Sequence, residues 1–171
     1  MNLVMASADD ETLLLDLLNT TPVVDGVPRD DLAEPKAARA WMRTHGVKAT
    51  DAELAGLLDA RSGLQNVIRG KREPRSLHRF VESVTLRPAV TNEGLDWQLV
   101  AKDGRTGALR AVLAWDALRL TSPGRLRPCA NDECRLFLID RSKPNTGRWC
   151  SMAICGNRMK ARRHYRKSRE S

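Results

Sequence analysis

RPCANDECRLFLIDRSKPNTGRWCSMAICGNRMKARRHYRKSR, residues Arg127 to Arg169, is the stretch around which this 171-residue chain is organised. It holds all four cysteines, Cys129, Cys134, Cys150 and Cys155, in two C-x4-C pairs with fifteen residues between them. Zinc takes four ligands at the corners of a tetrahedron, and two ligands close in sequence save chain entropy in building it. The first pair encloses Ala130-Asn131-Asp132-Glu133, turn-forming residues suited to a tight knuckle. Leu136 to Ile139 is a short apolar strand that can back the site, and Pro144 and Gly147 make residues 140–147 a loop.

The second pair suits a helix start. With Ser151 as N-cap, Cys150 precedes the cap and Cys155 is the fourth helical residue, the two positions that meet in a hydrophobic staple. Gly156 beside the second cysteine spares the metal a crowding side chain. Four thiolates leave no open coordination position, so one structural Zn²⁺ is expected rather than a catalytic metal. The spacing alone also admits an iron–sulfur cluster, two disulfides or free thiols. His164 lies more than two turns beyond Cys155 and is expected in solvent or facing a phosphate.

Beyond the cysteines the chain carries a cation at nearly every second position. Arg158, Arg162, Arg166 and Arg169 form a helical stripe, joined by Lys160, Arg163 and Lys167, with Met152, Cys155 and Met159 toward the metal. Arg141, Lys143 and Arg148 add cations from the loop. From Gly124 onward 13 Lys plus Arg stand against 4 Asp plus Glu, whereas residues 1–123 carry 16 against 17. The formal net charge of +8 therefore sits wholly in the last 48 residues, and such a field favours a polyanion. Tyr165 is the only Phe, Tyr or Trp of the basic helix, which disfavours a base-stacking platform.

Residues 1–123 read as a mainly helical α+β domain, with 124–171 as the zinc finger and Ser122-Pro123-Gly124 as the boundary. A leucine-rich helix over 10–19 ends at Asn19-Thr20-Thr21-Pro22, and Val23 to Asp31 is a loop. Pro35 opens a short helix that stops at Gly46. Thr50 to Glu53 is a T-x-x-E capping box for a helix to about Arg69, and a further short helix follows Pro74. The period then switches to two: Val84, Leu86 and Val90, then Leu95, Trp97, Leu99 and Ala101, flank Thr91-Asn92-Glu93-Gly94 as a β-hairpin. Asp103-Gly104 turns into a last helix over 105–120. The fold class expected is thus α+β: a helical domain with a hairpin, then a four-cysteine finger of knuckle, short strand and basic helix.

Cys155-Gly156-Asn157-Arg158, with Arg148-Trp149-Cys150-Ser151-Met152, the apolar run to Asp140, and Lys160 and Arg162, resembles the CGNR zinc fingers of bacteria. Asp16-Leu17-Leu18-Asn19-Thr20 resembles the opening motif of the ABATE domain that precedes this finger, and Asp31-Leu32, Pro35 and Trp41 its second block. The resemblance implies a stress-response transcription regulator that binds DNA through the finger.

The acidic N-terminus and the absence of a long apolar run predict a cytoplasmic protein with no membrane partner. Duplex DNA is the expected partner, contacted by Arg141, Lys143, Arg148, Arg158, Lys160, Arg162, Arg163, Arg166 and Lys167. Asn19, Thr20, Asp31 and Trp41 are candidates for a small-molecule effector pocket, and a homodimer on adjacent half-sites is the alternative role for the first domain. His45 and His78 show no reactive partner at motif spacing, so no enzyme is expected. The competing reading is a zinc-stapled module for protein interaction or RNA binding, without direct DNA readout.

Overall fold

The computed structural model describes residues 6–101 and 104–170. Helix α1 (Ala8–Leu18) starts in a complete capping box, Ser7 and Asp10 each accepting from the other's backbone, and buries Leu13, Leu14, Leu17 and Leu18 completely. It lies against α4 (Thr106–Thr121), which also packs on α3 (Asp51–Ile68); α2 (Pro35–Thr44) and a 3-10 helix (Pro74–Phe80) close the sides.

Two expectations change here. Residues 23–31 are not a plain loop: β1 (Val23–Val24) and β2 (Val27–Pro28) form a miniature hairpin. Its two central residues, Asp25 at φ 52° and Gly26 at φ 79°, take the left-handed backbone such a turn needs. The capping box at Thr50 is only half made. Thr50 Oγ1 accepts from Glu53 N at 3.2 Å, but the Glu53 carboxylate does not return to the cap. It reaches the start of α4 instead, accepting from Thr106 N and Gly107 N at 3.0 Å each. Helix α4 has no capping side chain of its own, so a buried acid from α3 satisfies its first donors and its positive end.

The predicted hairpin is present, as β3 (Thr85–Thr91) paired antiparallel with β4 (Gly94–Val100). Asp103 of the expected turn lies outside the described residues; Gly104 has φ 77°. After α4, β5 (Leu126–Pro128) and β6 (Phe137–Ile139) form a third small antiparallel pair. The pairing places the first two cysteines in the turn that joins these strands. Helix α5 (Asn157–Glu170) is the last described element.

The finger does not hang from a linker. Phe137 is 1% exposed and belongs to the same apolar core as the leucines of α1, with Leu126 and Ile139 packed against that core. Arg69, just past α3, lies over the Phe137 ring at 4.3 Å and donates to Arg135 O. Glu53→Ala leaves the Gly107 donor buried without a partner and the Thr106 donor, nearer the surface, to water. A loss of about 1–3 kcal/mol is expected in urea unfolding, whereas an ordinary capping box would cost nearer 1 kcal/mol.

Candidate metal centre and nucleic-acid surface

The cysteine pairs come from three pieces of chain. Cys129 follows β5 and Cys134 precedes β6, joined by a knuckle in which Cys134 N donates to Asn131 O at 2.8 Å. Cys150 lies before the last helical segment and Cys155 within its first turn. Ser151 is the N-cap, its Oγ accepting from Ile154 N at 3.3 Å. The turn that follows, Met152–Gly156, is of the wide π type, with Gly156 N donating to Ser151 O at 3.0 Å.

The four Sγ atoms lie within 4.8 Å of one another. Cys150 Sγ is 3.7 Å from both Cys134 Sγ and Cys155 Sγ. A tetrahedron with metal–sulfur bonds near 2.3 Å has sulfur–sulfur edges of about 3.8 Å, so the donor set fits zinc. None of the cysteines is in a disulfide. Around the sulfurs stand amide donors: Asn131 Nδ2 to Cys155 Sγ at 3.5 Å, Cys150 N to Cys129 Sγ at 3.5 Å, and Leu136 N to Cys134 Sγ at 3.4 Å. Such donors spread thiolate charge and aim the ligands. Asn131 is 1% exposed, and its Oδ1 accepts from Glu133 N, so one side chain shapes the knuckle and steadies a sulfur of the other pair. The sequence shows it only as a turn residue.

Burial pushes the Cys134 thiol up to about 11 and Cys150 higher still, where the neighbouring sulfurs add to the effect. Burial acts the same way on Cys155, but the hydrogen bond from Asn131 and those of the other cysteines outweigh it and lower that thiol. A divalent cation reverses the balance by taking thiolates and releasing their protons.

Gly156 has a different neighbourhood from the expected one. A Cβ there would meet Met152 Cε and Sδ at 2.8 Å and Trp149 Cδ1 at 3.2 Å, rather than crowd the metal. Met152 is 54% exposed, so it does not face the metal as the helical stripe suggested; a π-type turn rotates it away from the position that an α-turn would give.

From Asn157 to Arg169 every residue of α5 is exposed except the half-buried Met159. Its cations divide. Arg162 Nη2 meets Glu133 Oε1 at 2.5 Å and Arg158 Nη1 meets Glu133 Oε2 at 4.0 Å, so part of the stripe is tied to the knuckle. The Arg162 guanidinium in turn holds the Glu133 carboxyl below its ordinary value. On another side, Arg162, Arg163, Arg166 and Lys167 border a cleft of about 360 Å³ closed by Met159, Trp149 and Arg148, whose guanidinium lies 5.2 Å from the Trp149 ring. Lys160 is exposed on the same helix and Lys143 in the loop. Arg141 points to the first domain, where it pairs with Glu11 of α1.

The loop is held by Asp140, whose carboxylate accepts from Ser142 N at 2.9 Å, Gly147 N at 2.6 Å and Arg127 Nη2 at 3.0 Å. Hydrogen bonds from Ser142 hold that carboxyl down to about 2.

Of the residues proposed for an effector pocket, Asn19, Thr20 and Asp31 lie together, Asp31 N donating to Thr20 O at 2.9 Å, and Trp41 stands on α2. Asn19 Oδ1 accepts from Phe137 N at 2.7 Å and its Nδ2 donates to Phe137 O at 3.2 Å, so it bolts the end of α1 to the finger. Thr20 is buried and accepts from Arg61 Nη1, which with Nη2 clamps Asp30 at 2.8 and 2.6 Å. Asp31 is exposed, and Trp41 stacks on His45 at 4.0 Å. That His45 has a carboxylate after all, Asp16 at 2.9 Å, from a helix 29 residues away in sequence. An apolar cavity of about 590 Å³ lies elsewhere, between the 3-10 helix and α4, lined by Leu77, His78, Val81, Val112, Leu113 and Trp115 among others.

A family model described as CGNR zinc finger matches residues 125–168. Another, ABATE, described as "Putative stress-induced transcription regulator", matches residues 11–124, about two thirds of the chain. No curated protein matches the sequence. No described helix is long and apolar enough to cross a membrane.

Zinc affinity is expected to rise with pH through neutrality and on toward about 11, because the raised Cys134 and Cys150 thiols must each release a proton on binding at any pH below their own values; competition against a chromophoric chelator measures it. In the same assay Asn131→Ala is expected to weaken zinc about tenfold or more, while Asp132→Ala, exposed in the same knuckle, leaves it unchanged.

Proposed function

We propose that this chain, which belongs to the ABATE family and ends in a CGNR zinc finger, is a cytoplasmic transcription regulator that binds duplex DNA through α5, with one structural zinc and no catalytic activity of its own. The observation that carries the reading is the orientation of the basic helix. The cage fixes its base, Glu133 fixes its first turns through Arg158 and Arg162, and the remaining length stands in solvent. A solvated tail would need none of these constraints.

A helix of 14 residues is about 21 Å long and of a width that the major groove admits. Arginine can pair bidentately with guanine, and the other cations can take phosphates. The cleft between α5 and the Arg148-Trp149 edge is the natural seat for the strand beside the groove, since its walls bring cations from the helix and the loop to one place. Arg141 is better assigned to holding the finger on the first domain than to DNA, because its guanidinium already has the Glu11 carboxylate. For an effector, the apolar cavity between the 3-10 helix and α4 has the size of small-molecule sites, whereas the Asn19 and Thr20 side chains already have Phe137 and Arg61 as partners.

With four to six phosphates neutralised, log affinity should fall against log salt with a slope of about −4 to −5. Replacing Arg163 and Arg166 together by Ala is expected to flatten that slope by about 2 and leave zinc content unchanged. Titration of zinc-loaded full-length protein with labelled duplex measures both. Absence of any duplex binding at low salt, or capture of RNA or an acidic protein alone, would overturn the reading.

A further inference from the structure

The β3–β4 hairpin has two unlike faces. Its register pairs Leu86 with Leu99, Pro88 with Trp97 and Val90 with Leu95, and these six apolar residues share one face. The alternate pairs, Arg87 with Gln98 and Ala89 with Asp96, put the charges on the other. A half-polar hairpin normally lays its apolar face on a core. This one does not: Val90 is 86% exposed, Leu95 68% and Trp97 49%, and none of the three belongs to the core or packs against it. Only Leu86 and Leu99, at the base, are half-buried. An isolated two-stranded hairpin is marginal in water, and an uncovered apolar face of this length marks an interface.

We propose that this face is the contact between two copies of the chain, packed hairpin against hairpin about a two-fold axis. Three observations choose the occupant. The face carries no charge, so apposing it to itself brings no like charges together, and a two-fold interface requires such self-complementarity. Nucleic acid and membrane headgroups would want cations among the apolar residues, and the six positions have none. Pro88 removes a ladder donor in β3 and so disfavours an added strand along that edge, and a strand added at either edge would leave the apolar face itself uncovered, which packing face to face does not. Three residue pairs a side make a face at the low end for a specific interface, so the dimer is concentration-dependent and not obligate. The inference does not depend on DNA binding, although a two-fold pair would present two α5 helices to one duplex.

Sedimentation equilibrium of the zinc-loaded full chain, free of nucleic acid, tests it. The wild type is expected to pass from monomer to dimer below about 200 µM, a range suited to so small an interface. The pair V90K and L95K, both at solvent-exposed positions, should remain monomeric with unchanged circular dichroism, melting temperature and zinc content. R87E, on the polar face, should dimerise like the wild type. A wild type that stays monomeric over this range overturns the proposal, even if the hairpin captures some other protein, and so does a V90K/L95K variant that still dimerises.

Discussion

Four thiolates drawn to one cation hold together pieces of chain that have little else to join them. Cys129 and Cys134 bracket a knuckle of four residues, Cys150 ends a loop, and Cys155 lies in a wide first turn. Without a metal, these sulfurs are half-buried or buried groups whose mutual proximity and desolvation work against ionisation at two of the four positions. With zinc, the same proximity becomes the source of order. The base of α5 is set by it, and the Glu133 carboxylate ties the first turns to the knuckle through Arg158 and Arg162.

The order does not stop at the finger. Phe137 inserts into the leucine core, and Asn19 holds the backbone of that residue by both its amide groups. The Arg141–Glu11 pair adds a second tie to α1. Asn19-Thr20 therefore joins two networks through adjacent residues. Asn19 reaches forward to β6, and Thr20 reaches back through Arg61 to Asp30 beside the miniature hairpin. The end of α1 and the zinc module therefore share one set of contacts.

Local rules carried far where the residues involved are neighbours in sequence. The staple geometry of Cys150 and Cys155 around an N-cap at Ser151 is legible because cap, staple and cysteine fall within six positions. The helices of the first domain, the hairpin and its apolar alternation are legible for the same reason. The capping box at Thr50 misleads because Glu53 has two acceptable partners. Its own cap lies in exposed surroundings, while the uncapped start of α4, 53 residues on, needs a buried acceptor. The contacts of Asn19 and Thr20 are not legible either, since polar groups at a helix end serve a pocket or an interface equally well until the neighbouring segment is placed.

Composition and spacing by themselves determined that this protein has two like cysteine pairs, a polarised charge distribution and a helical first domain, because cysteine spacing, net charge and apolar period are properties of the chain in order. Only the tertiary structure decided which polar groups support the metal, which arginines Glu133 and Glu11 engage, and that the finger shares a core with the domain before it. Those outcomes turn on contacts between residues from 2 to 130 positions apart, and no local pattern encodes which of many polar groups will end beside which sulfur or carboxylate.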